Sequence, residues 1–182
     1  MTIQSIRLFG DPVLRTPAEV VTEFDRQLHK LVADLAETML DAPGVGLAAP
    51  QIGVGLRVFT YYSPEQGEVA HLVNPVLHFP NDEEQDGDEG CLSIPGLTFD
   101  CRRKAHVLAH GQDMHGEPVT VEGTARTARC IQHETDHLDG VLFVDRLTPE
   151  VRREAMRAIR DAPWAEQANP TIKLSPHVSG SR

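Results

Sequence analysis

The segment that most constrains this chain is His133-Glu134-Thr135-Asp136-His137. Residues four positions apart lie on one face of an α-helix, one turn apart. In a helix, this segment lets two imidazoles bind one metal ion and places Glu134 beside a water on that ion. The same spacing also arises by chance on surface helices, so a helix without metal stays open at this point. The pattern predicts the metal-binding helix of a hydrolase.

The residues around this segment support a helix. The run Thr124–Gln132 contains no Gly or Pro, and Gly140 stands where a helix would end. Asp136 and Asp139 add carboxylates near the imidazoles, and a carboxylate is a common hydrogen-bond partner of a metal-binding histidine.

The rest of the chain predicts an α+β domain. A capping-box-like Thr22–Asp25 precedes an amphipathic helix that ends near Gly44, and Thr148-Pro149 begins a C-terminal helix. The apolar stripe of the first helix is Phe24, Leu28, Leu31, Val32, Leu35 and Met39. Strand-like patterns cover 56–61, 70–73, 105–110 and 118–121. We therefore expect antiparallel strands packed around a central metal-binding helix, with an N-terminal helix and a C-terminal helix.

Length and composition limit the number of domains, the partners and the cellular location that we expect for this protein. A length of 182 residues fits a single domain, predicted over 1–167, with a flexible polar tail at 168–182. The net charge of −10 argues against nucleic acid or an anionic membrane surface as a main partner. No apolar run reaches membrane-spanning length, and the N-terminus lacks a secretory layout. Three cysteines without paired spacing fit a reducing cytoplasm.

The residues alone do not identify the third metal ligand. Cys91 lies in Glu89-Gly90-Cys91-Leu92-Ser93, directly after an acidic segment predicted to be a solvated loop, and a turn there could project its thiolate. A cysteine is more often a small buried apolar residue. The other candidates are Cys101, Cys130, Glu150, Glu154 and His177.

A glycine-rich segment, Gly44–Gly53, is the third feature with possible chemistry. It lacks the pattern of a phosphate-binding loop, and a helix end followed by a buried strand accounts for most of it. Gln51 is the polar exception, and its amide could donate a hydrogen bond to a developing oxyanion.

Together these segments resemble peptide deformylase. The family's first motif, Gly-φ-Gly-φ-Ala-Ala-x-Gln with φ apolar, matches Gly44–Gln51. Its second, Glu-Gly-Cys-φ-Ser, matches Glu89–Ser93, and its third, Gln-His-Glu-x-Asp-His, matches Gln132–His137. The resemblance covers about residues 3–160, and three motifs in the same order are more specific than any one of them.

The resemblance implies a metal-dependent hydrolase that removes the formyl group from N-formylmethionyl nascent peptides and releases formate. Cys91, His133 and His137 would bind one divalent metal ion. The resemblance implies Fe(II), the family's native ion, with Zn(II), Ni(II) or Co(II) as possible substitutes. Glu134 would carry protons, while Gln51 and the N–H of Leu92 would donate to the oxyanion. Transient ribosome association and a cytoplasmic location are also implied.

The resemblance further implies substrate contacts from Val45, Gly46, Gly90 and Arg129, and a pairing of Glu89 with Arg103. Two departures from the family concern the substrate. The segment Gly96–Phe99 lacks an arginine that some members carry. Arg126 and Arg129 replace the apolar residues expected in the methionine pocket, so we expect a more polar rim with the charged heads in water.

Three rival hypotheses remain at the level of the sequence. The first is a zinc endopeptidase, which would need a downstream Glu or His as its third ligand and would often be secreted. The second is a metal-binding or interaction protein without catalysis, which the presence of Glu134 disfavours. The third is a deformylase-like protein that has lost activity, which the complete motifs disfavour.

Overall fold

The computed structural model describes residues 2–165. Its helices are α1 (Arg26–Asp41), α2 (Ala125–Leu138) and α3 (Pro149–Arg160). Its strands are β1 (Gly46–Ala48), β2 (Val58–Ser63), β3 (Glu68–His78), β4 (Glu84–Gln85), β5 (Asp88–Cys91), β6 (Ile94–Asp100), β7 (Arg103–Lys104), β8 (His106–Gln112) and β9 (Pro118–Thr124). The predicted tail at 168–182 and the end of the predicted domain lie outside the described residues.

Five strands form one antiparallel sheet in the order β1-β2-β3-β8-β9. β5 and β6 form a separate hairpin, and β4 pairs with β7. The acidic segment before β5 is largely exposed, as predicted, although it contains the short β4. Antiparallel strands with three helices confirm the α+β class.

Helix α2 lies at the centre of the fold, where it packs against β1 and β9 of the large sheet and against β7. Every side chain from Cys130 to Leu138 is buried, including six consecutive polar ones from Gln132 to His137. Burying polar groups costs free energy unless they find partners. Gly140, with φ of +70°, follows the helix end as predicted.

The N-cap of helix α1 lies three residues after the predicted one. The Asp25 carboxylate accepts hydrogen bonds from the N–H groups of Gln27 and Leu28, so Asp25, not Thr22, caps this helix. The predicted apolar stripe is buried against β1 and β2, with Phe24 partly buried at its start.

Helix α3 secures the hairpin that carries Cys91. Thr148 caps α3 through Val151 N–H, and Pro149 occupies the first turn as predicted. The helix packs against β6, and the indole Nε1 of Trp164 donates a 3.0 Å hydrogen bond to the carbonyl oxygen of Pro95. The C-terminal helix therefore holds the β5–β6 hairpin in place.

Candidate metal centre

Cys91, His133 and His137 meet between the β5–β6 hairpin and α2. Sγ of Cys91 lies 3.2 Å from Nε2 of His137, and one donor atom from each residue lies within 4.8 Å of the others. Among residues 2–165 this is the only group of three such side chains placed to hold a metal. Cys101, Cys130, Glu150 and Glu154 do not join it, and His177 is outside the described residues.

The three donors fit a divalent metal ion. With a metal–sulfur distance of about 2.3 Å and metal–nitrogen distances of about 2.0–2.1 Å, the donor atoms of a tetrahedral site lie about 3.4–3.6 Å apart. The cluster needs only small adjustments to reach this geometry. The N–H of Ser93 also donates a 3.4 Å hydrogen bond to Sγ of Cys91, which fixes the position of the sulfur.

Glu89 orients the first of the two histidines. Its Oε1 lies 2.7 Å from Nδ1 of His133, and Arg103 binds both of its oxygens, at 2.5 and 3.0 Å. Burial disfavours the carboxylate, yet the hydrogen bonds from His133 and Arg103 hold the pKa of Glu89 well below its usual range. A proton on Nδ1 leaves Nε2 of His133 as the metal-binding atom. Nδ1 of His137 is buried with no hydrogen-bond partner among the described residues.

The acidic residues of α2 have a different role from the predicted one. Asp136 accepts from Arg103 at 2.6 Å and from Arg146 at 2.7 Å, and Asp139 pairs with Arg57 on the surface. Neither carboxylate contacts a metal-site imidazole, so this part of the sequence prediction is wrong. The predicted pairing of Glu89 with Arg103 is present, and it joins Asp136 to the metal site through a buried network.

Glu134 lines the same cavity as Cys91 and His133. Its Oε2 is buried and has no hydrogen-bond partner in the described part of the chain. Burial raises the pKa of the Glu134 carboxyl to about 7, close to the value that suits a group passing protons at neutral pH. A Cβ at Gly46 would overlap a Glu134 carboxyl oxygen and lie 2.9 Å from Sγ of Cys130, so only glycine fits there.

Gln51 and Leu92 flank the same space. The Gln51 Oε1 accepts a 2.8 Å hydrogen bond from the N–H of Ala48, which directs Nε2 towards Ser93 Oγ at 3.2 Å and Cys91 Sγ at 3.6 Å. The 3.6 Å contact is long, so this N–H is available to a better acceptor. The N–H of Leu92 donates no hydrogen bond to any described residue. The side-chain amide of Gln51 and the N–H of Leu92 are therefore two available donors on residues that line the same cavity as the cluster.

The comparisons with known proteins agree on one family. The family model for polypeptide deformylase matches residues 3–153. This chain belongs to the polypeptide deformylase family. It is 60% identical to a peptide deformylase of Parafrankia sp. over 97% of this chain and 96% of that protein. It is 62% identical to the Acidothermus cellulolyticus peptide deformylase over the same shares.

Solved deformylase structures have the same fold. The Thermus thermophilus enzyme superposes with a TM-score of 0.81 at 41% identity, covering 87% of this chain and 93% of that one. The Legionella pneumophila enzyme gives 0.80 at 40% identity, covering 87% and 94%. The resemblance stated from the motifs is confirmed, and with it the activity of the family, metal-dependent removal of the N-formyl group from nascent peptides. Within residues 2–165, no helix has the length and apolar character needed to span a membrane.

The deformylase site opens into a cavity of about 450 Å³. The cavity brings together the predicted metal ligands except His137, together with all the predicted catalytic and substrate-binding residues. The catalytic and substrate-binding residues in its walls are Glu134, Val45, Gly46, Gln51, Gly90, Leu92 and Arg129. Arg126 is exposed at this cavity and makes no ion pair with the described residues, as the polar-rim prediction requires. The prediction is wrong for Arg129, whose guanidinium is paired with Glu89 and mostly shielded from water.

Cys130 lines the pocket, whereas the sequence suggested only a small buried apolar residue or an alternative metal ligand. Its thiol donates a 3.4 Å hydrogen bond to the carbonyl oxygen of Val45 and lines the cavity beside Glu134. Burial raises the pKa of this thiol well above its usual value, so it stays protonated. Its position one turn before Glu134 on the same helix was the signal that could have placed it in the pocket.

Proposed function

We propose that Cys91, His133 and His137 hold one divalent metal ion and that Glu134 moves the protons of deformylation. The close approach of one sulfur and two imidazoles carries this proposal, because no other described group in the chain offers such a donor set. The unpartnered, buried Oε2 of Glu134 beside them supports the proton-carrying role. The proposed ligand set includes a cysteine that precedes the two histidines in the chain, whereas a zinc endopeptidase would use a Glu or His that follows them.

The native ion in this proposal is Fe(II). One thiolate and two imidazoles suit Fe(II), Zn(II), Ni(II) and Co(II), so the choice of iron follows the family rather than the donor atoms. An iron–thiolate site should be sensitive to oxygen. We expect anaerobically prepared Fe(II) protein to lose activity in air while Ni(II) protein keeps it. Equal lifetimes of the two forms would contradict the iron assignment.

The proposed mechanism uses four groups, namely the metal ion, the Glu134 carboxylate, the Gln51 amide and the N–H of Leu92. A metal ion held by the three donors would polarise a water molecule and lower its pKa. Glu134 accepts a proton as water attacks the formyl carbon, and Gln51 Nε2 and the Leu92 N–H donate to the resulting oxyanion. Glu134 then gives the proton to the amine nitrogen as the C–N bond breaks and formate leaves. One oxyanion donor is typically worth about 2.7–4 kcal/mol.

The proposed peptide-binding contacts lie along β1. This strand is at an edge of the large sheet, with Gly46 paired to Tyr61 of β2 on one side only. An extended formylated peptide can add to such an edge through its backbone. Val45, Gly46, Gly90 and Arg129 line the cavity beside this edge, which supports their proposed contacts with the substrate.

The decisive experiment is formate release from formyl-Met-Ala-Ser by anaerobically purified protein. Glu134→Gln keeps the shape of the side chain and removes the proton carrier, so we expect the variant to bind metal and release almost no formate. Asp139→Asn is the matched control, since this carboxylate directly after α2 pairs with Arg57 at the surface. Casein cleavage by the wild type would support the endopeptidase. Absence of formate release at full metal occupancy would reject the proposal.

The cellular setting is also a proposal. We infer that the enzyme acts in the cytoplasm and associates transiently with ribosomes that present formylated peptides. The acidic net charge of −10 disfavours non-specific RNA binding, so we expect weak, salt-sensitive sedimentation with ribosomes. The single catalytic domain over residues 1–167 likewise remains a prediction, which formate release by a chain truncated after 167 would test.

A further inference from the structure

Arg129 is a largely buried cation on the wall of the active-site cavity. It lies one helical turn before His133, and its side chain is 11% exposed. Its Nη1 donates a 2.9 Å hydrogen bond to Oε2 of Glu89 and a 2.6 Å hydrogen bond to the carbonyl oxygen of Cys101. The guanidinium is therefore fixed at both partners rather than free in the pocket.

Glu89 connects this arginine to a metal-site histidine. The Glu89 Oε1 contacts Nδ1 of His133 at 2.7 Å, while Oε2 receives Arg129 together with one N–H of Arg103. Without Arg129, Oε2 keeps a single donor, and the carboxylate gains freedom to rotate away from His133. The orientation of a metal-binding imidazole depends on the partner of its second nitrogen.

Arg129 also lies close to Gly87, in the segment between β4 and β5. A Cβ at Gly87 would lie 3.6 Å from Nη2 of Arg129, so the guanidinium packs against this glycine. Both residues line the cavity. One side chain thus touches the pocket wall and the carboxylate that orients His133.

We propose that Arg129 is a positioning residue that holds Glu89 against His133 and thereby sets the geometry of the metal site. The proposal rests on the proposed function, because it takes His133 as a metal ligand. Arg103 holds Glu89 from the β7 side and Arg129 holds it from α2. Loss of either arginine lets the Glu89 carboxylate rotate away from His133.

Whether removal of Arg129 raises or lowers the metal affinity distinguishes a positioning role from simple charge repulsion between the guanidinium and the metal ion. Removing a positive charge near a divalent cation, by itself, strengthens metal binding. Loss of the orienting carboxylate weakens it, typically 10–100-fold for changes in the partners of metal ligands. A positioning role therefore predicts a change opposite to the one that electrostatics alone predicts.

The test compares Arg129→Met with Arg126→Met. Both changes remove one cavity-lining cation from α2, but Arg126 makes no contact with Glu89. We expect zinc affinity, measured by competition with a chelator, to fall about tenfold or more in Arg129→Met. It should stay at the wild-type value or rise in Arg126→Met. The visible absorption of bound Co(II) should change only in Arg129→Met, and Arg129→Lys should recover part of the affinity.

A double-mutant cycle with Glu89→Gln separates positioning from a general loss of stability. If Arg129 acts through Glu89, adding Arg129→Met to Glu89→Gln should change zinc affinity little. Unchanged or tighter zinc binding by Arg129→Met, or full additivity with Glu89→Gln, overturns the inference. Failure of the wild type to bind zinc, or unchanged binding in His133→Ala, would instead reject the proposed ligand set.

Discussion

The Glu89 carboxylate and the Nδ1 of His133 form a 2.7 Å hydrogen bond between residues 44 positions apart in the chain. The contact joins the β5–β6 hairpin to α2 at the point where Cys91 faces the two histidines. Because both residues are buried, the geometry of the metal site depends on how well this carboxylate is held. Arg103 is the group that binds Glu89 most closely.

We predict that Arg103→Met strongly destabilises the protein. The change leaves two buried carboxylates, Glu89 and Asp136, without their shared cation, and breaking a buried pair typically costs about 3–5 kcal/mol. Urea unfolding of the metal-free protein measures this cost. Arg102→Met is the matched control, because its ion pairs are exposed and should contribute about 1 kcal/mol or less. Similar losses in both variants would contradict the prediction.

Local patterns were sufficient to predict the helices and the two motif residues on one helix face. The spacing of His133 and His137, the Gly140 stop and the Thr148 cap all act within a few residues, where helix geometry fixes the outcome. The apolar stripe of α1 was also predicted from its spacing. The N-cap residue was not, because it depends on which side chain reaches the free N–H groups of the first turn.

The partners of the site residues could not be predicted in the same way. Nothing local distinguishes Glu89 from Asp136 as the partner of His133, because the choice depends on how the β5–β6 hairpin packs on α2. For the same reason Cys91 could be separated from Cys101 and Cys130 only by resemblance to the family. Arg129 was expected to reach water, but its guanidinium turns inward and pairs with the buried carboxylate of Glu89.

We predict that Gln51→Met lowers kcat for formate release by about 10²–10³-fold with a small change in KM. The variant removes a donor aimed at the space where the oxyanion forms, while the apolar side chain has a similar length. It also leaves the Ala48 N–H without its acceptor, so thermal unfolding should be recorded alongside. A rise in KM at constant kcat would show that Gln51 binds the ground state instead.

We predict that His71 makes the stability of the protein fall in mild acid. Burial lowers the pKa of His71, and its Nε2 accepts the Met114 N–H at 2.9 Å, which requires a neutral ring. The unfolded state therefore binds a proton first as the pH falls below about 6.5, and stability decreases from there towards the folded-state pKa.

Urea unfolding at pH 7.5 and 5.5 tests this pH dependence. In His71→Gln the amide oxygen can still accept from Met114, so the acid-induced loss should be smaller than in the wild type. The ring of His106 pairs with Glu122 at the surface, so His106→Gln serves as the control and should show the same acid-induced loss of stability as the wild type. An equal pH dependence in wild type and His71→Gln would reject the role of His71.

We predict that Gly46→Ala abolishes most activity without preventing folding. The new Cβ would collide with the Glu134 carboxyl and Cys130 Sγ, so Glu134 must shift. A displacement of about 1 Å at a reacting group can cost about 10²-fold in rate. Gly55→Ala is the control, because a Cβ there meets no atom within 4 Å. Metal content and unfolding temperature are compared with those of Gly55→Ala. If they match and Gly46→Ala still releases formate at a near-normal rate, the close packing of Glu134 on β1 is not required for proton transfer.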